Sequence, residues 1–117
     1  MANYRVGRVA QEILKEVNDI LRNTVRDPRV EGITITDVEL TGDLQQAKIY
    51  YSSLEEDEES KKDTQTGLDK STGLIRKELG SRLTTYRTPE ILFTRDESVE
   101  YGNRIDELLN KLRNDEN

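Results

Sequence analysis

Eight apolar side chains at the start of the chain recur with helical spacing. Val6, Val9, Ala10, Ile13, Leu14, Val17, Ile20 and Leu21 fall at i, i+3, i+4, i+7, i+8, i+11, i+14 and i+15. Arg8, Glu12, Lys15, Asp19, Arg22 and Arg26 trace the solvent side. A stripe this long cannot be buried by its own helix, so the rest of the chain must supply a sheet or a second helix to cover it. Asp27-Pro28 ends the helix, because the residue before proline is pushed out of the α region.

The covering surface is legible next. Ile33 and Ile35 alternate with threonines, and Val38 and Leu40 then alternate with acids. The parity switches across Thr36-Asp37, which marks either a β-bulge or a strand covered on both faces. Thr41-Gly42-Asp43 reads as a turn, after which Ala47, Ile49 and Tyr51 alternate with Lys48, Tyr50 and Ser52, completing a β-hairpin. The acidic run Glu55 to Glu59 is a solvated loop or the first turn of the next helix, where negative charge suits the helix dipole. Consecutive carboxylates lack the spaced oxygen ligands of a calcium loop, so no metal is expected there.

From about Lys61 to Thr84 the pattern is helical again. Leu68, Thr72, Ile75, Leu79 and Leu83 share one face, and Gly73 interrupts the run. Glycine there is about 1 kcal/mol worse than alanine, which points to a bend or to a close approach of another backbone. A helix pair kinked at Ser71-Thr72-Gly73 is therefore expected. Only Leu68 is strongly apolar before the bend, so its first half is expected to pack weakly. Pro89 introduces a short strand through Ile91, Leu92 and Phe93. Ser98 is a candidate N-cap for a last helix carrying Tyr101, Ile105, Leu108, Leu109 and Leu112, with a frayed tail from Asn114. The fold class is α+β: one domain ordered helix, strand, strand, kinked helix pair, strand, then a C-terminal helix. A helical crossover returns the third strand parallel to the second, giving a three-stranded mixed sheet with helices on one face.

Residue usage narrows the chemistry. The chain has no histidine and no cysteine, so Ser-His-Asp and Cys-His nucleophilic sites, disulfides and thiolate chemistry are all excluded. There is no phosphate-binding P-loop and no GxGxxG string. No apolar run approaches a membrane span and no signal peptide is visible, which favours a cytoplasmic protein. Glu39 with Asp43 could pair for acid–base work, but turn and strand-edge acids are usually solvated. The reading is therefore not an enzyme, with no cofactor and no metal.

The formal net charge of −6 conceals a polarity. Residues 31–60 carry one basic and nine acidic groups, whereas residues 61–95 carry eight basic and four acidic. Local patches decide what a surface attracts, since the Debye length is only about 8 Å at physiological salt. Lys70, Arg76, Lys77 and Arg82 lie beside the expected bend, with Arg8 and Arg87 as extensions of the same candidate RNA-binding set. They form either a solvated helix face or a phosphate-binding one. Tyr4, Tyr50 and Tyr86 are candidates for stacking on bases.

Several strings, in this order and spacing, resemble the ribosome-binding factor A family from about Tyr4 to Ser98. They are Arg8-Val9-Ala10, Asp27-Pro28-Arg29, Asp43-Leu44, Ala47-Lys48-Ile49-Tyr50-Tyr51, Gly73-Leu74-Ile75-Arg76 with Leu79-Gly80, Arg87-Thr88-Pro89-Glu90, Phe93 and Asp96-Glu97-Ser98. The resemblance implies a type II KH-like RNA-binding domain over residues 1–97, followed by the C-terminal helix and tail at 98–117. KH domains clamp the nucleic-acid backbone with a GxxG loop. This chain has none, and the family's Ala-x-Gly kink maps onto Ser71-Thr72-Gly73, with serine in place of alanine. The family's role implies a monomer in ribosome biogenesis. It would bind the free 30S subunit and 16S rRNA late in maturation, assist 5′-end rRNA processing without cutting, and be linked to growth in the cold. The alternative is a protein–protein interaction module with no direct RNA contact, working through the last helix or an exposed sheet edge.

Overall fold

The computed structural model describes residues 2–54, 57–83 and 87–97. Helix α1 spans Ala2–Asn23. Six of the eight stripe residues are inside: Val9, Ala10 and Leu21 are buried, Ile13, Val17 and Ile20 are fully so, and Val6 and Leu14 are half-buried. Each fully buried aliphatic side chain contributes about 1.5–3 kcal/mol. The exit from α1 is fixed locally. The Asp27 carboxylate accepts the Arg29 backbone N–H at 2.9 Å, capping a 3₁₀ turn at Pro28–Val30.

Strands β1 (Thr34–Leu40), β2 (Gln46–Ser52) and β3 (Glu90–Arg95) form one sheet in the order β1-β2-β3. β1 runs antiparallel to β2, and β3 parallel to it, as expected. The parity switch is a bulge: the register shifts between Ile35 and Asp37, which leaves Thr36 as the extra residue. That shift keeps Ile35 and Val38 on one face, opposite Tyr51 and Ile49, and Phe93 continues the row from Ile49. The other face presents the rows Asp37–Tyr50–Thr94 and Glu39–Lys48–Leu92.

Helix α2 spans Glu58–Arg82 and packs against both α1 and β3. Its start uses the acidic run: the Asp57 carboxylate accepts the Ser60 N–H at 2.9 Å, and Glu58 and Glu59 stand in the first turn. Leu68, Ile75 and Leu79 join α1 and the inner sheet face in one core, with Leu83 packed at its margin.

Two expectations for this helix fail. The kinked pair is a single helix, unbroken through Ser71-Thr72-Gly73. Gly32, not Gly73, has the positive φ, and a Cβ built at Gly73 meets nothing within 4 Å, so neither backbone geometry nor crowding demands glycine there. The Thr72 hydroxyl donates to the Leu68 carbonyl at 2.9 Å, a bond satisfied within the helix. Nor is the first half weakly packed. Thr64 is buried with its hydroxyl bonded to the Ser60 carbonyl at 3.0 Å. Gly67 lets the 3₁₀ turn sit on the helix, since a Cβ there would stand 3.0 Å from Arg29 Cβ and from Val30 Cγ1.

Both outer strands have a helix side chain on their backbone. Asn18 of α1 accepts the Ile35 N–H at 2.9 Å and donates to the Ile35 carbonyl at 3.5 Å. Gln65 of α2 donates to the Phe93 carbonyl at 3.1 Å and accepts the Tyr51 hydroxyl. At these two positions the edge backbone is already paired. The expected C-terminal helix from Ser98 lies outside the described residues.

Candidate nucleic-acid interface

At 100° per residue, α2 divides into a core face, two flanks and an exposed ridge. The ridge carries Lys62, Lys70, Gly73, Lys77 and Ser81, all exposed. Lys70 and Lys77 are two turns apart on it, about 10.5 Å by helical rise. The predicted arginines are elsewhere, one on each flank.

Arg76 faces β3. Its Nε donates to the Pro89 carbonyl and its Nη2 to the Thr88 carbonyl, both at 3.0 Å, and Nη2 also lies 3.4 Å from Glu90. Gly80, one turn further on, faces the same segment: a Cβ there would stand 2.6 Å from Thr88 Oγ1. These contacts set residues 87–89 alongside the ridge. The result is a groove of about 410 Å³ lined by Gly73, Arg76, Lys77, Gly80, Arg87 and Thr88. It has three cationic side chains and no acidic one in its lining, and glycine at two positions allows a backbone ligand to approach closely.

Arg82 faces α1. Its Nη1 donates to Asp19 at 2.6 Å and to Glu16 at 3.1 Å. The hydrogen bonds to Asp19 and Glu16 raise the Arg82 pKa, and the bond from Arg82 holds Asp19 below its ordinary value. This guanidinium joins two helices and lies outside the groove lining. Arg8 is exposed on α1 and is not part of that lining either. Lys70 is close enough to Asp27 to help depress that carboxyl, after the larger effect of the Arg29 hydrogen bonds.

The structure thus gathers Arg76, Lys77 and Arg87 of the predicted set, places Lys70 along the same ridge, and separates Arg82 and Arg8 from them. Sequence reasoning missed Gly80 and Thr88 as groove-formers and Lys62 as part of the ridge. The seven-residue step from Gly73 to Gly80 was the available signal. Tyr50 is half-buried on the outer sheet face, with Lys48 Nζ 5.8 Å from its ring centre, so it is not beside the groove. Tyr86 and the Tyr4 side chain fall outside what is described. The acid pair offers no base: Asp43 accepts the Thr41 hydroxyl at 2.6 Å and the Gln45 N–H at 3.1 Å, which hold its pKa below the usual value.

Comparison with known proteins places this geometry. A crystal structure of ribosome-binding factor A from Thermus thermophilus aligns with a TM-score of 0.66 at 18% identity, over 77% of this chain and 94% of that one. A Thermus thermophilus homology model, fitted into a cryo-EM map of a 30S complex, aligns with a TM-score of 0.62 at 18% identity, over 75% and 91%. These likenesses show the fold. A ribosome-binding factor A from Enterococcus faecalis is 66% identical over 116 residues, 99% of this chain and 100% of its own length. The family model for ribosome-binding factor A matches residues 5–109, and with that match the chain belongs to the ribosome-binding factor A family.

Proposed function

We propose that this chain is a non-catalytic ribosome assembly factor that binds the free 30S subunit and 16S rRNA during late maturation and promotes 5′-end processing without cleaving RNA itself. The observation that carries the reading is family membership over nearly the whole chain. The 30S complex containing the Thermus thermophilus relative supports the small subunit as partner. The factor works in the cytoplasm as a monomer, with no cofactor and no membrane partner. Residues 1–97 form the RNA-binding domain, and residues 98–117 a C-terminal extension.

The groove on the β3 flank of α2 takes the RNA backbone. Lys70, Lys77 and Arg87 meet phosphates. Arg76 adds charge while holding residues 88 and 89 in place. Arg82 and Arg8 are left out, the first because Glu16 and Asp19 already neutralise it and the second because it stands off the groove. Phosphate neutralisation releases counterions, so binding weakens steeply with salt.

Co-sedimentation of the full chain with purified free 30S subunits, and with complete 70S ribosomes, tests this. The wild-type chain pellets with 30S and not with 70S, and Lys70→Glu with Lys77→Glu abolishes pelleting at moderate salt. Unchanged pelleting of the double variant would overturn the site. Equal pelleting with 70S would overturn the maturation role.

A further inference from the structure

Among the described residues, the helices cover one face of the sheet and leave the other exposed. On that face the row Glu39–Lys48–Leu92 points outward, and one pleat nearer the hairpin turn so do Thr41, Gln46 and Glu90. Between these rows lies a pocket of about 480 Å³. Its walls combine two chemistries. Leu92 is a large apolar side chain in mid-strand, yet 59% exposed. Glu39 and Glu90 stand on opposite outer strands, and Lys48 is the one cation in the lining. Glu90 touches Arg76 but remains 74% exposed. Asp37 faces outward in the neighbouring row, and Asp43 stands in the adjoining turn.

We propose that this face docks a cationic, partly apolar segment of a protein on the small subunit while the α2 groove meets RNA. The inference rests on the assembly-factor reading above. Charge complementarity selects the partner. Asp37, Glu39 and Asp43 outnumber Lys48, and Glu90 is shared with Arg76, so the face stays acidic. It repels a phosphate backbone and attracts lysine or arginine, whose alkyl stems lie along apolar surface such as Leu92 while their heads reach the acids. A second copy docking by this same face would bring the same carboxylates to it and be repelled. The partner is placed on the face and not on an edge, where Asn18 and Gln65 already bond the strand backbone at Ile35 and Phe93.

The test uses the full chain bound to purified 30S subunits, with a photo-crosslinking residue in place of Leu92 or, separately, of Ser81 on the α2 ridge. The Leu92 probe attaches to a protein of the subunit and the Ser81 probe to 16S rRNA. Two variants add a sign test. Glu39→Lys weakens 30S binding about fivefold if the face meets a basic protein, and strengthens it if the face meets RNA. Leu92→Ser weakens binding about fivefold without changing its salt dependence. Both sites are exposed, and an unchanged thermal midpoint checks folding. If the Leu92 probe attaches to rRNA, to a second copy, to residues 98–117 of its own chain or to nothing while Ser81 still captures rRNA, the docking face is overturned and the assembly reading stands. If neither probe attaches and the chain does not sediment with 30S, both fall.

Discussion

The two flanks of α2 carry the same inventory, one glycine at a close approach and one anchored arginine, and use it in opposite ways. On the α1 flank, Gly67 receives Arg29 and Val30, and Arg82 is bound by two carboxylates. That seam is closed and its charge is cancelled. On the β3 flank, Gly80 receives Thr88, and Arg76 is bound chiefly by two backbone carbonyls. Carbonyls fix the position of a guanidinium without neutralising it, and the single exposed carboxylate of Glu90, 3.4 Å away, does not offset Arg76, Lys77 and Arg87 together, so this seam keeps positive charge and opens into the groove. The acceptor decides whether an arginine on this helix is structural or available to a phosphate.

Substitutions can break that contrast, and the closed flank gives the largest effect. Gly67→Ala forces a Cβ against Arg29 Cβ and Val30 Cγ1. Overpacking of this kind costs about 1–3 kcal/mol, offset in part by the roughly 1 kcal/mol that alanine gains over glycine inside a helix. The net loss is read as a lower urea midpoint with 30S affinity of the folded chain retained. Gly80→Ala meets only the rotatable Thr88 hydroxyl closely. Its cost appears as weaker 30S binding more than as lost stability.

Next come the arginines. Arg76→Gln removes charge from the groove and two ties on residues 88 and 89, and is expected to weaken 30S binding about tenfold, close to 1.4 kcal/mol. Arg82→Gln lowers the thermal midpoint and leaves affinity within about twofold. Equal losses of affinity would erase the distinction between the flanks.

Gly73 supplies the reference between them. With open space around it in an unbroken helix, Gly73→Ala is expected to stabilise the chain by about 0.5–1 kcal/mol. A destabilised variant would restore a bend at that position.

Acid is the mildest probe. Of the four carboxyls held below their ordinary value among the described residues, Asp19 and Asp27 belong to the closed flank, while Asp43 and Asp57 stand elsewhere. Hydrogen bonds from Arg82 depress Asp19, and those from Arg29 bring Asp27 from 3.8 down to about 2. Folded pKa values below the unfolded ones mean stability that is complete above about pH 4 and is lost as pH falls toward 2. Thermal midpoints of the wild type should decline across that window, and Arg29→Met should decline less.

Much of this fold was legible because its signals are periodic and local. The α1 stripe, the parity switch that became the Thr36 bulge, and the acids that became the Asp57 cap and first turn all depend on near neighbours. The flanks of α2 were not legible. Whether Gly67, Gly73 or Gly80 needs to be glycine depends on what stands opposite, and only the fold brings Arg29 and Thr88 there. Arg82 meets partners 63 and 66 residues away, so its neutralisation leaves no trace in the local sequence. The cationic segment at 61–95 was visible as a count; that the fold cancels Arg82 was not.

The salt dependence of 30S binding tests that last point most directly. Plotted as log K against log salt, the slope reports how many phosphates the chain neutralises, about 0.7–0.9 for each. Arg87→Gln should flatten the slope by about that much, and Arg82→Gln should leave it unchanged. A slope flattened by Arg82→Gln and untouched by Arg87→Gln would place the RNA on the α1 flank and contradict the account.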